Sequence, residues 1–181
     1  MIVFIGPAGS GKSTQGQVLA AKQGWLWIST SQLLRESNDA ALNSMMEKGE
    51  LVPYEKVNEV MGKALKKIDG NKNIILDGFT RRIEQAHWLV DNESVHGQSI
   101  DLVIVLDVPH DILIKRMELR GRVDDKPEAI EERLRLYKQE VDPILNFFIS
   151  KGVKVVYIDG SGTIEQVHDI VLQKLKLCKL L

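Results

Sequence analysis

The segment GPAGSGKST, Gly6 to Thr14, follows directly on the short apolar run IVFI and constrains the fold more than any other part of the chain. Gly6, four residues, then Gly11-Lys12-Ser13 is the spacing of a phosphate-binding loop between a strand and a helix. Glycines let successive backbone N–H groups turn inward with no Cβ in the way, which makes an anion-binding concavity. The helix that follows adds unpaired N–H groups that favour negative charge. Lys12 reaches β- and γ-phosphates as a compact cation, and Ser13 is placed to ligate magnesium. A glycine-rich turn alone would satisfy the pattern. The strand before it, and the amphipathic TQGQVLAAKQG after it with Gly24 as C-cap, favour phosphate binding at Gly9, Ser10, Gly11, Lys12, Ser13 and Thr14.

Apolar runs at Ile2–Ile5, Trp25–Ser29, Asn73–Asp77, Leu102–Asp107 and Val153–Ile158 read as strands. Helical patterns fill 12–23, 31–48, 54–68, 82–91, 109–120, 127–148 and 163–177. That alternation predicts a five-stranded parallel sheet with helices on both faces, a three-layer α/β/α P-loop fold. The polar DNESVHGQS reads as a surface loop, and Trp25 and Trp27 as packing residues. Asp125 is expected to cap the helix from 127, and Pro143 to kink or break it. At 181 residues the chain suits one domain. A net charge of −1 argues against a nucleic-acid or membrane surface, and the single Cys178 fits a reducing compartment. No run is long enough to span a bilayer and no signal peptide is evident, so a cytoplasmic protein is expected.

A magnesium partner for the loop is offered by NIILDG, a mostly apolar strand ending in Asp77. A helix-capping aspartate is the alternative there. No NKxD segment selects guanine, and His87, His96, His110 and His168 are scattered, without metal-ligand spacing. Arginines stand out instead: Arg116 and Arg120 four apart, Arg122 just beyond, Arg133 one turn into the long helix, Arg35 and Arg81 after strand ends. A single arginine is usually a solvated face. Together, guanidinium forks suit two polyphosphates held for direct transfer, a reaction of positioning and charge stabilisation that needs no side-chain nucleophile.

These residues resemble the adenylate kinases, within the nucleoside monophosphate kinases, over essentially the whole chain. GPAGSGKSTQGQVLA is similar to the family's ATP loop, and ISTSQLLRE to its ISTGDLLR segment, which implies Thr30 and Arg35 at the monophosphate site. KGELVP resembles the stretch against the adenine of AMP, here Glu50, Leu51 and Val52. LDGFTRRIEQA resembles LDGFPRTxxQA, which implies Gly78, Phe79, Thr80 and Arg81 at the AMP site, with Arg81 on the AMP phosphate and Gln85 on the adenine edge. RMELRGRVDDKPEAIEERL resembles the closing region, implying Arg116 and Arg120 on the ATP side and Arg122 and Arg133 on the transferring phosphate and AMP. IDGSGTIEQV resembles the segment near the ATP base, around Gly162.

The resemblance implies reversible transfer from Mg-ATP to AMP, giving two ADP, with Mg2+ at Ser13 and Asp77. It implies Lys12, Arg81, Arg116, Arg122 and Arg133 as catalytic residues, and ATP and AMP as the partners of a monomer. A helical insert near 30–65 is expected to close over the monophosphate, with a very short lid near 120–125 that carries no zinc-binding cysteines. Three departures stand out: Ser31 and Gln32 where the family has glycine and aspartate, Thr80 where it has proline, and only Gly121 between Arg120 and Arg122. Without that proline, Arg81 is expected to be less pre-organised. The alternatives are a UMP/CMP kinase, another small P-loop kinase, and a non-catalytic nucleotide-binding regulatory protein.

Overall fold

A computed structural model of the chain describes residues 1–68, 72–122 and 125–181, with the side chains of 95 and 96 excepted. In chain order its elements are β1 (Ile2–Ile5), α1 (Lys12–Gln23), β2 (Leu26–Ser29), α2 (Thr30–Glu36), α3 (Ala40–Glu47), α4 (Tyr54–Leu65) and β3 (Ile74–Asp77). There follow α5 (Ile83–Asp91), α6 (Glu93–His96), β4 (Leu102–Asp107), α7 (His110–Arg120), α8 (Pro127–Ser150), β5 (Lys154–Asp159) and α9 (Ile164–Leu177).

The five strands pair in parallel in the order β2-β3-β1-β4-β5. Side chains of a strand alternate between faces, and β1 shows what that does here. Ile2 and Phe4 enter an apolar layer with Leu19 of α1 and Val167, Val171 and Leu175 of α9. Val3 and Ile5 enter the opposite layer, with Leu89 of α5, Ile144 and Phe148 of α8, and Val57 and Met61 of α4. All four are buried, so the sheet is covered on both sides and the fold has the three expected layers. Among the described residues no helix is long and apolar enough to cross a membrane.

Several local expectations are corrected. The helical pattern at 31–48 divides into α2 and α3, because Asn38 takes a left-handed φ of 55° and the Asp39 side chain caps α3 by accepting from the N–H groups of Ala41 and Leu42. The polar loop at 91–99 contains the short α6. Pro143 neither breaks nor ends α8, which runs unbroken from Pro127 to Ser150. Proline deprives the Gln139 carbonyl of its partner, but Gln139 and Pro143 lie on the exposed face, where water can serve that oxygen. Asp125 does not cap α8. Lys126 holds the N-cap position, and the Asp125 carboxylate is engaged by arginines instead. Along α8, Ile130, Leu134, Ile144 and Phe148 are buried, and Tyr137 and Val141 are partly buried beside them. Trp27 does pack, with its indole over Gly16, where an added Cβ would lie 2.7 Å from the ring.

Candidate active site

The parallel register sets the site. Phe4 of β1 pairs with Asp77 of β3, and Asp77 pairs with Ser29 of β2, so three strands end in one row. The Gly6–Gly11 loop, the turn at 78–82 and the start of α2 therefore open from the same edge of the sheet. Ligands of open α/β sheets bind at the carboxyl ends of strands for this reason.

Within the loop, Gly9 and Gly11 adopt φ of 82° and 95°, a region that side chains disfavour. Gly11 is the N-cap of α1, so the conformation that turns the loop also launches the helix. Lys12 Nζ donates to the carbonyls of Gly6 and Pro7, both at 2.8 Å, and to Ser10 Oγ at 3.4 Å. Desolvation lowers its pKa to about 8; Arg81, Arg120 and Arg133 act in the same sense, and Asp77 opposes. One helical position on, Ser13 Oγ donates to Asp77 Oδ2 at 2.5 Å, and Asp77 is buried. A hydroxyl and a carboxylate that meet beside a phosphate loop form a hard-oxygen pair of the kind that suits Mg2+.

Facing the loop is the turn before α5. Arg81 Nε donates to the Gly78 carbonyl at 3.1 Å, and its Nη2 donates to Ser31 Oγ at 3.1 Å. Gln85 is buried, and its Oε1 accepts from the backbone N–H groups of Arg81 at 2.6 Å and Arg82 at 3.0 Å. The side chain expected to face a base thus also shapes the turn that presents Arg81. Thr80 is buried too, and among the described residues its hydroxyl has no partner.

The remaining arginines fall into two groups. Arg120 makes a two-pronged contact with Asp125, through Nε at 2.8 Å and Nη2 at 2.5 Å. Arg133 Nη2 reaches the same carboxylate at 2.9 Å, and the Arg122 backbone N–H donates to it at 3.2 Å. Burial would push the Asp125 carboxyl up, but the hydrogen bonds from Arg120 and Arg133 outweigh it and hold the pKa near 2. Arg116 stands apart from this group. It donates to the carbonyls of Gly160 at 2.8 Å and of Ser161 and Gly162 at 3.2 Å, bracing the β5–α9 loop.

A cleft of about 1130 Å³ is lined by Gly9–Thr14, Thr30, Arg35, Glu50–Val52, Asp77–Arg81, Gln85, Gly162 and Arg116, Arg120, Arg122 and Arg133, with Asp125 buried behind Arg120 and Arg133. Drug-sized ligands fill pockets of roughly 300–1,000 Å³, and this cleft is at or above the top of that range. The sequence reading missed Asp125 and Ser31 as site residues and also missed Tyr137, which lines the cleft and whose phenol burial pushes up to about 12. Asp125 carried a signal, an acid three residues past Arg122 and eight before Arg133, but its expected use as a helix cap concealed it.

Comparison with known proteins decides which family built this cleft. The family model described as adenylate kinase matches residues 4–153. The chain belongs to the adenylate kinase family. It is thereby a phosphotransferase of the nucleoside monophosphate kinase class. Adenylate kinases from Prochlorococcus marinus and Corynebacterium glutamicum are 36% and 33% identical to it over 180 residues. These alignments cover 96% of this chain and 97% and 98% of the relatives. One from Mycobacteroides abscessus is 36% identical over 172 residues, covering 92% of this chain and 93% of the relative. In this adenylate kinase family member the matched stretch contains every cleft group named above except the Gly160–Gly162 loop. Of the short lid expected near 120–125, residues 123 and 124 lie outside the described residues.

Proposed function

We propose that this protein is an adenylate kinase that transfers the terminal phosphoryl group of Mg-ATP to AMP, reversibly, giving two ADP. The observation that carries the reading is the cleft itself, which is lined by a phosphate loop and also by the Arg81 turn, Gln85 and the Glu50–Val52 segment. A site for one nucleotide would leave the second set of groups without a ligand.

In this reading the loop N–H groups and Lys12 hold the ATP phosphates. Arg35 and Arg81 hold the phosphate of AMP, and Thr30, Glu50, Leu51, Val52 and the free amide face of Gln85 take its base. Ser13 and Asp77 would hold Mg2+, which when bound supplies charge to the phosphate oxygens and orients them. An oxygen of the AMP phosphate forms a bond to the terminal phosphorus of ATP as the bond from that phosphorus to the bridging oxygen breaks. No proton moves, so the chain needs no base. Its task is to align the two phosphates and to meet charge on the transferring group, the work of Arg120, Arg122 and Arg133. Asp125 keeps two of these guanidiniums together while no anion is present. Arg116 acts from the ATP side by holding the Gly160–Gly162 loop against the base. The helical insert at 30–65 closes over AMP, in a protein we place in the cytoplasm.

The test offers ATP with AMP, dAMP, CMP, UMP or GMP and separates products by chromatography. ADP formed fastest with AMP supports the reading. Faster phosphorylation of CMP or UMP, or no transfer to any acceptor, overturns it.

A further inference from the structure

Ser31 is where two arginines of the acceptor side converge. Its Oγ accepts from Arg81 Nη2 at 3.1 Å, and its carbonyl accepts from Arg35 Nη1 at 3.4 Å. Arg81 is held a second time through Nε, which donates to the Gly78 carbonyl at 3.1 Å. A planar guanidinium fixed at both Nε and Nη2 has its fork set in one orientation, which is what two-pronged recognition of a phosphate requires. Gly78 leaves the room for this, since a Cβ there would approach Arg81 Nη2 to 3.3 Å.

We propose that Ser31 is a positioning residue for the acceptor phosphate, its hydroxyl orienting the Arg81 guanidinium toward the nucleoside monophosphate. The proposal rests on the reading of Arg81 as a phosphate-binding residue. It also answers the expectation that Arg81 is loosely held for want of a proline at position 80. A tether from α2, through Ser31 Oγ, is added to the one that the turn supplies through the Gly78 carbonyl. Thr80 takes no part in it, because its buried hydroxyl has no partner among the described residues. The Ser31 hydroxyl acts through the guanidinium it is bonded to, so its effect is expected to follow the phosphate whatever the base.

The experiment is a double-mutant cycle of Ser31→Ala and Arg81→Ala, with Ser31→Thr as the variant that retains a hydroxyl. Steady-state kinetics and calorimetric titrations with AMP, CMP and ATP are the readouts. Alanine in the first turn of α2 leaves the Ser31 carbonyl and its bond to Arg35 in place, so melting temperature is expected to stay near that of the parent. Ser31→Ala is expected to raise KM for AMP about two- to fivefold, the range of an exposed hydrogen bond to a charged group. KM for ATP and kcat are expected to change less than twofold by the same reasoning, and Ser31→Thr is expected to recover most of the loss. In the Arg81→Ala background, Ser31→Ala is expected to cost nothing more. Additive losses in the cycle, or an equal loss for ATP, overturn the proposal and leave the proposed function untouched. A parent protein that phosphorylates CMP or UMP in place of AMP overturns the proposed function alone, and the cycle is then read with that acceptor.

Discussion

Ser13 and Asp77 stand 64 residues apart in the chain and meet at 2.5 Å, hydroxyl to carboxylate, where α1 begins and β3 ends. Phe4 pairs with Asp77 across the sheet, so the strand that leads into the phosphate loop is the same strand that fixes the carboxylate. Asp77→Asn preserves shape and can still accept from Ser13, but it removes the charge. We expect it to raise the Mg2+ concentration needed for half-maximal rate by about 10- to 100-fold, the usual cost of disturbing a metal's supporting groups. A chelator is expected to abolish transfer in the parent protein. A magnesium titration that superimposes on that of the parent would remove Asp77 from the metal site.

Lys12 gives a pH signature. Its pKa in the folded chain is about 8, against 10.5 in the absence of structure, chiefly because the loop desolvates it. Between these values the unfolded chain holds a proton that the folded one has released, so this group's contribution to stability rises with pH there and is a cost below it. A bound polyphosphate restores the charge, so nucleotide binding at about pH 8.5 is expected to take up protons. Calorimetry in two buffers of different ionisation heat measures that uptake, and Lys12→Met is expected to lack it. The same variant is expected to lose about 10²–10³ in rate while melting no lower than the parent. Equal proton uptake in both proteins would contradict this account.

Gln85 separates its two tasks atom by atom. The oxygen is committed to the N–H groups of Arg81 and Arg82, which leaves the amide nitrogen for a base. Gln85→Glu keeps the oxygen and loses the nitrogen donor. It is expected to keep the fold, to blur discrimination between AMP and CMP, and to weaken AMP use by roughly 1–3 kcal/mol. Gln85→Ala is expected to cost stability as well, since the turn loses its cap. Melting curves and competition between AMP and CMP distinguish the two variants. Identical behaviour of Glu and Ala would show that only the turn matters.

His168 is buried on α9 with no hydrogen-bond partner for either ring nitrogen among the described residues. Burial lowers its pKa, aided by Lys22 and opposed by Asp169. Below the ordinary value of 6.5 the unfolded chain takes up a proton that the folded chain resists, so stability is lost as pH falls through that range. Denaturant melts of the parent and of His168→Leu from about pH 7 to about pH 5 are expected to diverge in favour of the variant as pH falls. Parallel curves would mean that the imidazole is not the source.

Much of this protein was determined by stretches a few residues long. The loop spacing, the αL glycine at position 24 that ends α1, and the Val/Ile/Leu strands are legible because their causes are local: a φ angle, a cap, an alternation along one strand. The family itself is legible for the same reason, as each of its motifs is contiguous. What tertiary structure alone decided is which side chains pair across elements. Asp125 reads as a helix cap until Arg120 and Arg133 are brought to its carboxylate, and nothing in the spacing of Arg116 tells that it also donates to the Gly160–Gly162 carbonyls. Ser31 reads as a mere departure until it lies 3.1 Å from an arginine 50 residues away. Pro143 reads as a break until its exposed position shows where the freed carbonyl turns. A hydrogen bond falls off within a fraction of an ångström, whereas spacing along a sequence says nothing about distance across a sheet. Strand order and register set that distance, and they belong to the whole fold.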